Sequence, residues 1–138
     1  MSDGIDIAAL IPHAGSMVLL ESVNAWDADA IQCVAHSHAD AANPLRRDNC
    51  LPAICGVEYA GQAIALHGAL LAGTKSRPGL LVSVRDVALH ARRLDDAGRL
   101  LVIDAHLLAH QPSGMSYRFS IGCDSRRLVE GRATIVLP

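Results

Sequence analysis

The stretch Pro52-Ala-Ile-Cys-Gly56-Val-Glu58-Tyr-Ala-Gly-Gln62-Ala-Ile-Ala-Leu-His67-Gly-Ala-Leu-Leu-Ala72-Gly73 decides the fold. Proline suits the first turn of a helix, and a glycine just past the last apolar residue suits its end. Between them only Glu58, Gln62 and His67 are strongly polar. A helix that is apolar nearly all round is either wrapped by protein or set in a bilayer. A span wants a cleaner and greasier run than this one, which is rich in Ala and Gly and is broken by a carboxylate. The stretch therefore predicts a buried core helix over Pro52 to Ala72.

The flanking sequence supplies the wrapping. Upstream, Met17 to Val23 is an apolar run of strand length, and Asn24-Ala-Trp-Asp-Ala-Asp29 reads as a turn. A second strand follows from Ala30 to His36, with Ile31, Cys33 and Ala35 on one face. Residues 37–51 carry no periodicity and read as loop. Downstream, four strands are expected at Gly79–Leu89, Leu100–His110, Met115–Cys123 and Leu128–Leu137. In the third, Met115, Tyr117, Phe119, Ile121 and Cys123 alternate with Ser116, Arg118, Ser120 and Gly122. That period of two marks an antiparallel sheet with one covered face. Turns are expected at 95–98, 111–114 and 124–127. The plan is α+β: a long central helix wrapped by a curved antiparallel sheet of five to six strands, the arrangement called a hotdog. No linker or repeat divides residues 1–138, so one domain is expected.

Composition narrows the function. The 138 residues are 51% apolar but 3% aromatic, with one Trp, two Tyr and one Phe. Single-strand nucleic-acid binders need aromatic stacking platforms, and duplex binders need a basic stripe; a net charge of −2 supplies neither. The four cysteines form no CxxC pattern, and the acidic start Met1-Ser-Asp-Gly-Ile-Asp6 lacks the basic region of a signal peptide. A reduced, cytoplasmic chain without metal or redox cofactor is expected.

Glu58 is the informative residue, because a carboxylate on a greasy helix is costly unless it is paired or neutral. A buried carboxyl group titrates nearer neutrality and can serve as a general acid or base; the alternative is a carboxylate facing solvent through a gap in the sheet. Gln62 lies on the same helical face. The N–H groups near Ala53, Ile54 and Cys55 sit at the positive end of the helix dipole, where a carbonyl oxygen would be polarised.

These residues carry a resemblance. The segment from Asn43 through Pro52, Glu58 and Gln62 resembles the active-site segment of the hotdog (3R)-hydroxyacyl-[acyl carrier protein] dehydratases, which reads H-F-P-G-x-P-x-x-P-G-x-x-x-x-E-x-x-x-Q. Leu10-Ile-Pro12-His13 followed by Met17-Val-Leu-Leu-Glu21-Ser-Val23 is similar to that family's amino-terminal L-P-H-x-x-P-x-L-L-x-D-x-V. A divergent dehydratase-like subgroup, from aryl polyene clusters, is similar in keeping L-P-H and E-x-x-x-Q while lacking the usual histidine. The resemblance implies a hydro-lyase acting on 3-hydroxyacyl thioesters of acyl carrier protein, in fatty acid or polyene-type lipid synthesis. It implies Glu58 as the acid/base, Gln62 beside it, and Pro52, Ala53, Ile54 and Gly56 around the thioester. It also implies a homodimer or dimer of dimers with the acyl tunnel at the interface.

Two departures stand out. The family's catalytic histidine falls on Pro44, and its P-G step reads Pro52-Ala53. His13 is the favoured substitute base, with His36 and His38 as other candidates. A hotdog thioesterase, or a non-catalytic acyl-binding protein, is the alternative outcome. A metal site at His36 and His38 with a cysteine matches no known zinc spacing. The basic steps Arg46-Arg47 and Arg92-Arg93, with Lys75 and Arg77, are either solvated surface or a docking patch for an acidic carrier and its phosphopantetheine.

Overall fold

The computed structural model describes residues 4–75 and 81–136. Gly79, Arg77 and Leu137, to which expectations above attach, lie outside them. Among the described residues a six-stranded antiparallel sheet surrounds one long helix. The strands are β1 (Ser22–Trp26), β2 (Ala30–Ala35), β3 (Leu81–Leu89), β4 (Leu101–Gln111), β5 (Gly114–Cys123) and β6 (Arg126–Val136). Their spatial order is β1-β2-β4-β5-β6-β3. The chain thus enters β3 at the far edge of the sheet after passing through the helix.

A short helix, α1, covers Ile7–Leu10; the central helix, α2, covers Gly56–Ala72 and is preceded by a 3-10 turn at Ala53–Cys55. Gly73 ends α2 at φ 71°, a left-handed conformation that glycine adopts without strain. The segment 53–72 is long and apolar enough to cross a bilayer, with a mean hydropathy of 1.2. Here that apolar surface serves as core. Ala60, Ala63, Ile64, Ala65 and Leu66 are buried in one core with Ile31, Cys33, Ile103, Tyr117, Phe119, Ile121 and Ile135 from the inner sheet face. The small residues let the sheet approach the helix closely. A Cβ on Gly56 would lie 3.1 Å from Val129 and 3.5 Å from Ile121.

One boundary differs from the pattern. The first strand begins at Ser22, not Met17, and runs through Asn24 and Trp26, where a turn is expected; the turn falls at 27–29. The reason is a side chain from the helix. Gln62 is buried, accepts the Leu19 N–H at 2.9 Å and donates to the Met17 carbonyl. Residues 17–19 thus have a helix side chain where a strand would need a backbone neighbour.

The helix also carries a buried histidine. His67 Nε2 faces the Asp27 carbonyl at 2.8 Å, so it must donate; Nδ1 pairs with the Tyr117 hydroxyl at 2.6 Å. The pair meets edge to face, with ring centroids 5.5 Å apart. One imidazole fastens the helix to β5 and to the β1–β2 turn.

Candidate functional site

The sheet does not cover the first turns of α2. An open hollow of about 510 Å3 lies there, lined by Leu45, Arg47, Pro52, Ile54, Cys55, Val57, Glu58, Val84 and Val87. Loop 37–51 forms one wall, the helix start forms the floor, and the edge strand β3 forms the other wall. Glu58 is exposed to it and has no hydrogen-bond or ion-pair partner among the described residues. Of the two readings of this carboxylate, burial or exposure through a gap in the sheet, the structure shows exposure.

The loop wall is held by a chain of hydroxyl and amide groups. Ser37 Oγ donates to the Leu19 carbonyl at 2.7 Å and pairs with the Tyr59 hydroxyl at 2.7 Å. Asn43 Nδ2 donates to the Ser37 carbonyl and to Tyr59, while its Oδ1 accepts the Leu45 N–H. Asn43 thus fixes Pro44 and Leu45 beside the helix start. Burial pushes the Tyr59 phenol above its usual range, so it remains a neutral member of this chain.

The second support is an unforeseen pairing of residues 51–53 with 92–94. Leu94 N–H donates to the Leu51 carbonyl at 2.8 Å, and Ala53 N–H donates to the Arg92 carbonyl at 3.0 Å. Asp95 accepts the Leu51 N–H and forks with Arg93. That guanidinium holds the Asp95 carboxyl far below the usual carboxylate range. Ala53 N–H is therefore already engaged and does not point at the hollow, contrary to expectation. Cys55 N–H is taken by the Pro52 carbonyl at 3.0 Å. Ile54 remains: its side chain is half exposed in the hollow, and its N–H stands where intrahelical acceptors run out.

Of the residues singled out from sequence, the structure brings Pro52, Ile54 and Glu58 together. It does not bring Ala53, Gly56, Gln62 or His13 to the lining. Gly56 packs on the sheet, and Gln62 has both amide ends on the backbone of residues 17–19. His13 is half-buried, and its Nδ1 is buried without a partner. His36 pairs with Glu21 at 2.8 Å. His38 is fully buried, donates from Nε2 to the Gly98 carbonyl at 2.6 Å, and has its pKa lowered by burial. No histidine lines the hollow. Sequence reasoning had singled out Arg47 and Cys55 for other roles and missed Leu45, Val57, Val84 and Val87 as lining. The signal for Val57 was its position one residue from Glu58; for β3 there was none.

A protein-family model describing the ApeP dehydratase, ApeP-like, matches residues 5–138. The chain belongs to the ApeP-like dehydratase family. Dehydration, a hydro-lyase reaction, is thus its activity class. The dehydratase heterocomplex ApeI:P from Xenorhabdus doucetiae superposes with a TM-score of 0.84 at 24% identity, covering 97% of this chain and 91% of that one. A homologue of HP0420 from Helicobacter felis gives 0.67 at 15% identity, covering 100% and 93%. A thioesterase from Haemophilus influenzae gives 0.57 at 16%, covering 83% and 76%. At these identities the solved structures show a shared hotdog fold. No curated protein matches the chain with significant similarity.

Proposed function

We propose that this ApeP-like chain removes water from 3-hydroxyacyl thioesters of acyl carrier protein, with Glu58 as its acid/base and a second hotdog chain closing the site. The supporting observation is the hollow itself: an unpartnered carboxylate beside Ile54 at the helix start, walled by apolar Leu45, Val57, Val84 and Val87, and open on one side. The thioester carbonyl would rest at the Ile54 N–H, which polarises it. The acyl chain would lie along the apolar wall. Elimination breaks the Cα–H and Cβ–O bonds, so one group must take a proton and one must give one. Glu58 can do one of these at a time. The second group comes from the chain that covers the hollow, since no histidine of this chain lines it. The heterocomplex of the matched dehydratase supports a different chain in that place; a second copy, bringing its own His13, is the homodimer reading. Residues 1–138 form one domain in this reading, and its setting is cytoplasmic.

The test is incubation of the chain, alone and with a co-expressed hotdog partner, with 3-hydroxyacyl-carrier thioester, followed by mass spectrometry. Loss of water that disappears with Glu58→Gln supports the proposal. A lone carboxylate without histidine also suits hydrolysis, so release of free acid assigns a thioesterase instead. Unchanged thioester in both arms refutes catalysis.

A further inference from the structure

The outer face of the sheet, opposite the helix and the Glu58 hollow, carries a charge pattern that the dehydration does not use. Strand register aligns His106 with Arg118, Arg118 with Arg132, and Arg132 with Arg85. Four basic side chains from β4, β5, β6 and β3 thus form one row across the sheet. All four are exposed. The three arginines have no carboxylate partner among the described residues. Like charges directly opposite one another in a sheet repel, so the row is a cost the isolated chain carries. The chain as a whole is acidic, at −2, which makes the row a local feature and not a consequence of composition.

Its neighbours define what could cover it. One step along the strands, roughly 7 Å away, lies a row of Gln32, Asp104, Ser120 and Glu130. Its acids are already occupied: Asp104 accepts from Gln32 at 2.9 Å, and Glu130 meets His90 at 2.6 Å and Arg127 at 3.4 Å. On the other side Ser83, Thr134 and Ser116 form a hydroxyl row. The positive charge is therefore a line with an acidic border. A broad anionic surface such as a lipid headgroup layer would cover both rows and meet the acids. The three rows also hold no Phe, Tyr or Trp for a base to stack on. Adjacent basic groups are about 4.8 Å apart across the strands, so the row spans roughly 14 Å. Side chains three or four residues apart on a helix stand about 5–6 Å apart. A helix lying across the strands with one row of carboxylates matches this repeat.

We propose that the row His106–Arg118–Arg132–Arg85 is a docking line for an acidic helix of another protein, seated on the back of the sheet and away from the acyl site. Ser83, Thr134 and Ser116 beside the line offer hydroxyl donors to the carboxylates that meet the three arginines. The test uses two fluorescent helical peptides of the same alanine–glutamate composition, one with its glutamates in a single row and one with them scattered. Anisotropy titrations at low and high salt compare them on the native chain and on an Arg118→Gln/Arg132→Gln variant. The expected result is preferential binding of the single-row peptide, weakened by salt and weakened about tenfold in the variant, the scale of a few exposed ion pairs. The variant should melt no lower than the native chain, since it relieves repulsion. Equal binding of both peptides, an unchanged variant, or tighter binding of a single-stranded oligonucleotide or a phosphatidylglycerol vesicle would overturn the proposal. Because the readout is binding on the far face, it stands or falls independently of Glu58.

Discussion

The two halves of α2 treat polar side chains in opposite ways. In the wrapped half, Gln62 and His67 are buried, and every polar atom of each has a partner. In the open first turns, Glu58 is exposed and unpartnered beside a hollow. The same greasy helix thus carries polar groups that hold the fold and one that is left available. Satisfied burial marks structure; the free carboxylate at the helix start is the group proposed for the chemistry. The contrast can be broken from either side.

Exchanging the free group should remove function without touching the fold. Glu58→Gln keeps size and exposure but cannot transfer a proton. A loss of about 10²–10⁴ in turnover is expected, the usual contribution of a positioned acid or base. Its urea midpoint should stay within about 0.5 kcal/mol of native, as for other surface changes. His67→Phe is the converse. It leaves the buried Tyr117 hydroxyl with only the Met115 sulfur at 3.9 Å as partner, at about 1–3 kcal/mol. A clear shift of the urea midpoint is expected, with the Glu58 hollow unchanged. If Glu58→Gln melts early, or His67→Phe melts like native, the division between the two halves fails.

Gln62 tests the contrast at the joint between sequence motif and fold. In the resemblance it stands beside the acid; in the structure it straps residues 17–19 to the helix. Gln62→Leu should cost about 1–3 kcal/mol by stranding the Leu19 N–H and the Met17 carbonyl. Hydrogen exchange at the Leu19 amide should rise more than the global loss of stability explains. A variant with native stability and lost turnover would return Gln62 to the catalytic machinery.

These cases show what was legible. Periodicity carried the helix, its glycine stop and the alternation of β4, β5 and β6, because one-sided burial writes itself into local order. Glu58 and the helix start were legible as a polar spot on an apolar element. The engagement of Ala53 N–H was not, since its acceptor, Arg92, lies in a segment without period and far along the chain. The late start of β1 was hidden for the same reason: one glutamine amide, distant in sequence, replaces a strand neighbour. Burial and exposure of Glu58 were both compatible with an apolar helix, and only the sheet's extent decides between them. The arginine row needed register, which alternation alone does not fix.

The smallest effect concerns a second buried histidine, His38, held outside both halves of the helix. Its Nε2–H donates to Gly98, its Nδ1 has no partner, and burial lowers its pKa from an ordinary 6.5. The fold therefore holds the neutral ring. Protonation favours the unfolded chain, whose imidazole titrates normally. Stability from this group is fully present above pH 6.5 and declines as pH falls below it toward the lowered native value. The expected slope is at most one proton taken up on unfolding. His38→Gln keeps a donor for the Gly98 carbonyl and cannot titrate, so its urea midpoint should fall less steeply between pH 6.5 and 5 than that of the native chain. Parallel pH profiles would place the acid sensitivity outside His38.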